Sequence, residues 1–113
     1  MVVASFLKDV TYDNEKVVIK PLINTAHSKE IRIAFEKDQI MKEHNAPGAI
    51  TVMVLKGAID FGINGENIIL NVGDMIAVEP SVMHSLQAKE KSVVILSLAK
   101  KDTIARVNSV LKL

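Results

Sequence analysis

The side chains best suited to chemistry in this chain of 113 residues are three imidazoles, His27, His44 and His84, and a lysine beside one of them, Lys42. An imidazole can accept a proton as a general base or give a ring nitrogen to a metal ion. Cysteine is absent, which removes disulfides, thiolate metal sites and thiol nucleophiles. Any metal site must then use histidine, carboxylate or carbonyl ligands, and Met53 or Met83 would suit only a soft metal. His27 falls in the turn-like segment NTAHSK and reads as exposed. His44 and His84 border apolar runs, where a lone histidine most often packs with its nitrogens hydrogen-bonded. They become one site only if the fold brings them together.

The elements that must do so read as strands. Lys16 to Asn24 is rich in β-branched residues and contains Pro21, which cannot donate to a ladder and points to an edge strand. In EIRIAFE, Ile31, Ile33 and Phe35 alternate with Arg32, Ala34 and Glu36, the period of a strand with one buried face. ITVMVLKGAIDFGI and ENIILNV flank Asn64-Gly65, the strongest short hairpin signal. Gly73-Asp74 marks another turn, followed by MIAVE, MHSLQA and SVVILSLA as further strands. Short, closely spaced strands without helical patterns between them predict an antiparallel sandwich or barrel rather than βαβ units. Only the end of the chain changes period. Asp102 can cap a short C-terminal helix over about 102–112, with Ile104, Val107 and Leu111 on one face.

Two stretches between Met41 and Ala88 resemble the paired motifs of the cupin superfamily. In HNAPGAITVMVLKG, His44 takes the place of the first motif's leading histidine and Gly57 that of its closing glycine. In GDMIAVEPSVMH, Gly73 and His84 match the glycine and histidine that frame the second. The departures are as specific as the matches. The first motif's second histidine falls on Ala46 and its glutamate on Ile50, while the second motif's proline and glycine fall on Glu79 and Ser81. The chain is most similar to short single-domain bacterial cupins with a degenerate metal motif. That resemblance implies an all-β fold, a small antiparallel jelly-roll barrel forming one domain over residues 1–113, with His44 and His84 as the two surviving metal-ligand positions. Gly57 has its own local reading, a bend where a side chain would obstruct closure of the barrel.

If His44 points into such a barrel, the two-residue period sends Lys42 and Ile40 inward and leaves Glu43 outside. The same rule from His84 puts Leu86 and Ala88 inside. Val52 and Val54 follow Ile50 inward, with Thr51, Met53 and Leu55 on the opposite face. The expected ligand site is therefore a largely apolar cavity with two imidazoles near its mouth, formed by His44, His84, Lys42, Val52, Val54 and Leu86. The first expectation for function is a non-catalytic domain that binds a small molecule. The alternative is a metal-dependent enzyme of the dioxygenase or isomerase kind, with His44 and His84 holding a weakly bound divalent metal (zinc, iron, nickel or manganese). Acid–base chemistry without metal lacks an inward carboxylate to orient either imidazole.

Composition narrows the partners. Lys+Arg 14 against Asp+Glu 13 offers none of the concentrated positive charge that phosphate backbones select, so nucleic acid is not an expected partner. No run approaches the roughly 20 apolar residues of a membrane helix, and MVVASFLKDV has neither the basic leader nor the cleavage site of a signal peptide. The expectation is a cytoplasmic protein. ITVMVL and SVVILSLA carry apolar side chains on both faces, so their outer face needs a cover. A homodimer with Met53 or Leu55 near its interface is the expected cover.

Overall fold

Alternating side chains along the chain build nine strands in the computed structural model, which describes residues 1–100. They are β1 (Val18–Asn24), β2 (Ser28–Phe35), β3 (Ile40–His44), β4 (Ile50–Lys56), β5 (Ala58–Ile63), β6 (Glu66–Asn71), β7 (Met75–Val78), β8 (His84–Ala88) and β9 (Ser92–Ala99). They form two antiparallel sheets, β1-β2-β9-β4-β7 and β3-β8-β5-β6. Pro21 does lie on an edge strand, with a register shift beside it. The helix expected over about 102–112 lies outside the described residues.

The inner faces of the two sheets meet in one core. Ile33 and Phe35 from β2, Ile50, Val52 and Val54 from β4, and Val94 from β9 pack with Ile59, Phe61, Leu70, Leu86 and Ala88 of the other sheet. The run ITVMVLKGAIDFGI does not continue as one strand. Gly57, at a φ of +82°, turns the chain from β4 in one sheet to β5 in the other. The β5–β6 hairpin closes through Asn64 and Gly65, both at positive φ as its two-residue turn demands.

The outer face of the five-stranded sheet carries a finding that periodicity did not announce. Arg32 and Ala34, expected on the solvated side of β2, are 4% and 1% exposed. The segment before β1 lies against Arg32. Arg32 Nη1 donates to the Lys8 carbonyl and Gln39 Nε2 to the Asp13 carbonyl, while the Lys91 ammonium sits 4.2 Å from the centre of the Tyr12 ring. Phe6 reaches Met53 and Ile95 around a common pocket. The chain thus covers part of its own outer face, leaving less outward apolar surface for a second copy to bury.

Candidate functional site

The two histidines do meet. His44 ends β3, His84 begins β8, and they are direct cross-strand partners. Their ring centroids lie 4.3 Å apart with the planes at 64°. His84 is 1% exposed, and its ring stacks on Phe61 at 5.7 Å and 5°. His44 is half-buried.

Each ring is held by a backbone carbonyl two residues earlier. Nδ1 of His44 lies 2.7 Å from the Lys42 oxygen, and Nδ1 of His84 lies 2.9 Å from the Val82 oxygen. A carbonyl only accepts, so Nδ1 donates in both rings, and in the uncharged tautomer each Nε2 keeps a lone pair. Nε2 of His84 is shielded from solvent and has no hydrogen-bond partner among the described residues. Leaving a buried acceptor unsatisfied costs about 1–3 kcal/mol, which a ligand carrying a donor would recover.

A bulge sets the pair's geometry and corrects the expected parity. Met41 pairs with Leu86 and His44 with His84, so β3 spends one more residue than β8 between the same two points. Met41 therefore packs on the core, whereas Ile40 is 55% exposed and Lys42 lies on the surface beside exposed Glu43. Lys42 reaches the pair through its carbonyl rather than its ammonium. Val52, Val54 and Leu86 have the inward parity expected of them, but at 0%, 0% and 2% exposure they are packed core. His27 is exposed in the β1–β2 turn.

Two loops frame this end of the barrel, the one after His44 and the one before His84. The Ser81 amide of the second donates to the Ala46 carbonyl of the first at 2.8 Å. Beside them Pro47, Ala49, Pro80 and Leu98, with Lys100, line an apolar groove of about 580 Å³. Sequence reasoning missed Phe61 as the platform under His84, although the alternation of Ile59 and Phe61 in AIDFGI places both inward. It also missed Met41, because nothing in Lys42 or Glu43 marks a bulge.

The cupin domain family model matches residues 31–99, a span that contains His44, His84 and strands β3 to β9 with most of β2. The chain belongs to the cupin domain family. No curated protein sequence matches it. Solved structures agree on the fold. An RmlC-like cupin from Desulfovibrio desulfuricans superposes with a TM-score of 0.81 at 22% identity, covering 88% of this chain and 96% of its own. KdgF from a Halomonas species gives 0.71 at 21%, covering 79% and 84%. A cupin superfamily protein from Desulfitobacterium hafniense gives 0.75 at 14%, covering 81% and 84%.

In this cupin the remaining ligand positions of the motif cannot serve a metal. Ile50 is 4% exposed within the core and Ala46 packs against it. Glu43 and Glu79 are exposed, and among the described residues no three of His, Asp and Glu gather as ligands. The carbonyl-held imidazoles are oriented as metal ligands often are. A resident catalytic metal nevertheless usually takes three protein ligands. The donor set is too small to fit one.

Ser81 stands where the second motif has glycine and keeps the left-handed backbone at φ +66°. A side chain there costs about 1 kcal/mol. Ser81→Gly is expected to stabilise by about 0.5–1 kcal/mol, partly offset by the freer unfolded chain. Thermal melts should show a rise of about 2–8 °C, and a fall would mean the serine side chain anchors the loop.

Proposed function

We propose that this cupin binds a small molecule without transforming it, using the paired imidazoles as the polar end of the site. The observation that carries the reading is the buried, unpartnered Nε2 of His84 beside the ring of His44. With both Nδ1 atoms committed to carbonyls, the site offers acceptors, and its ligand brings an O–H or N–H donor. The apolar groove of Pro47, Ala49, Pro80 and Leu98 at the same end of the barrel supports an apolar body on that ligand. The absence of a reaction is supported by what holds the imidazoles. Their Nδ1 partners are carbonyls rather than carboxylates, so neither histidine has the acidic partner that stabilises a protonated imidazole in hydrolytic sites.

A second reading, a metal-dependent enzyme with His44 and His84 as two ligands, is favoured by one observation only. Both rings are locked in the tautomer that presents Nε2. Native mass spectrometry of protein purified without chelator separates the two. The expected result is a retained organic molecule with less than one metal ion per chain. Stoichiometric zinc, iron, nickel or manganese would overturn the non-catalytic reading. No described helix is long and apolar enough to cross a membrane.

A further inference from the structure

On the opposite side of β4 and β9 from the core lies a pocket of about 320 Å³ that the imidazole pair does not share. Strand register builds it as two adjacent rows across the five-stranded sheet. Glu30, Ser97 and Thr51 are successive cross-strand partners and form a polar row. Ile95, Met53 and Met75 form the apolar row beside it. Phe6, from the segment before β1, also lines the pocket.

The Glu30 carboxylate sets the chemistry. Its Oε1 accepts a hydrogen bond from Ser97 Oγ at 2.8 Å. Its Oε2 is shielded from solvent and has no donor among the described residues. Arg32, two residues along the same face, is buried with Nη1 committed to the Lys8 carbonyl, and Glu30 forms no ion pair among the described residues. A carboxylate oxygen withdrawn from water without a donor is costly. An ammonium N–H satisfies both its charge and its hydrogen-bonding capacity. The walls suit the rest of such a ligand, since thioether side chains adapt to an alkyl chain.

We propose that this pocket is a second ligand site that takes a small amphiphilic ammonium ion, with its nitrogen on Glu30 and its apolar chain against Met53, Met75, Ile95 and Phe6. Its volume lies at the lower end of small-molecule pockets, which selects a short primary amine over a lipid.

The five methionines of the chain make the test direct. Met53 and Met75 line this pocket, whereas Met41 packs on the barrel core beside the histidine pair. The full-length chain with ¹³C-methyl methionine is titrated with hexylammonium chloride and, separately, with hexan-1-ol. The expected result is saturable movement of the Met53 and Met75 methyl signals by hexylammonium, with Kd below about 1 mM and Met41 unmoved. Hexan-1-ol should bind at least tenfold more weakly. Glu30→Gln keeps the side chain's size and its acceptor for Ser97, and should weaken the amine at least tenfold while leaving the alcohol unchanged.

Equal affinity for amine and alcohol, an unaffected Glu30→Gln, shifts confined to Met41, or no shift would each overturn the proposal. So would Met53 and Met75 signals that move with protein concentration in the absence of amine, which would assign the face to a second copy of the chain. If Glu30→Gln fails to fold, the amine-to-alcohol ratio on the unmodified chain decides the matter alone.

Discussion

Gly57→Ala is expected to destabilise the protein by about 3–5 kcal/mol, lowering its melting temperature by more than about 12 °C. Two causes add. The backbone at Gly57 is left-handed, at φ +82°, which costs a residue bearing a Cβ about 1–2 kcal/mol. A Cβ there would also sit inside contact distance of the Ser92 hydroxyl and the Lys91 carbonyl. Neither neighbour can easily yield. Lys91 contributes backbone, and Ser92, fully buried, accepts from the Ala58 amide at 3.1 Å and donates to the Glu90 carbonyl at 2.7 Å. Rotating that hydroxyl away would orphan the Ala58 amide at the start of β5. Ser92→Ala alone should cost about 1–2 kcal/mol. In the double variant the hydroxyl clash is gone but the Lys91 carbonyl remains, so the two losses should fall short of additivity without cancelling. A Gly57→Ala protein that melts within about 2 °C of the parent would show that the turn between the sheets tolerates a side chain.

Gly57 is also where the sequence spoke most clearly. A glycine between two apolar runs has few explanations, and its setting supports a bend at the closure of the barrel. The same holds for Asn64-Gly65, whose positive φ angles are what a two-residue hairpin turn requires. Such positions are legible because one residue type meets one backbone demand. Core strands are legible for a related reason, since burial on one face forces the alternation of Ile31, Ile33 and Phe35.

The site was legible only as far as that alternation holds. The bulge in β3 inserts a residue between Met41 and His44, and every inward assignment made by counting back from His44 slipped by one. A bulge needs no distinctive side chain when its extra residues are solvated, and Lys42 and Glu43 are ordinary surface residues. The segment before β1 was hidden differently. It is held to the outer face and to the β2–β3 turn through single contacts, Arg32 to the Lys8 carbonyl and Gln39 to the Asp13 carbonyl. Contacts of a side chain with a distant backbone leave no period to read. The lone Glu30 oxygen could not have been foreseen, because Glu30 and Ser97 become neighbours only through the pairing of β2 with β9.

At His84 the largest expected effect on binding comes with a small effect on folding, provided the substitution is chosen for shape. His84→Ala would remove a fully buried ring stacked on Phe61 and leave a cavity, at about 2–4 kcal/mol. Its loss of function would then be uninformative. His84→Phe keeps a ring against Phe61 and deletes the unpartnered Nε2, a gain of about 1–3 kcal/mol. It also deletes the donor to the Val82 carbonyl, a loss of similar size. The ligand-free variant should therefore melt within about 1 kcal/mol of the parent while retaining no organic molecule in native mass spectrometry. His44→Ala, at a half-buried position, should cost under about 1 kcal/mol and lose the same molecule. Combining the two should weaken retention no further, because groups that act as one site give non-additive losses. Nickel(II) as a probe should raise the melting temperature of the parent only, since each single variant leaves one imidazole of the pair and the double variant leaves none. A purely structural His84 predicts the reverse pattern. His84→Phe would then destabilise by more than about 2 kcal/mol, His44→Ala would keep whatever the parent retains, and the two stability losses would add as they do for independent positions.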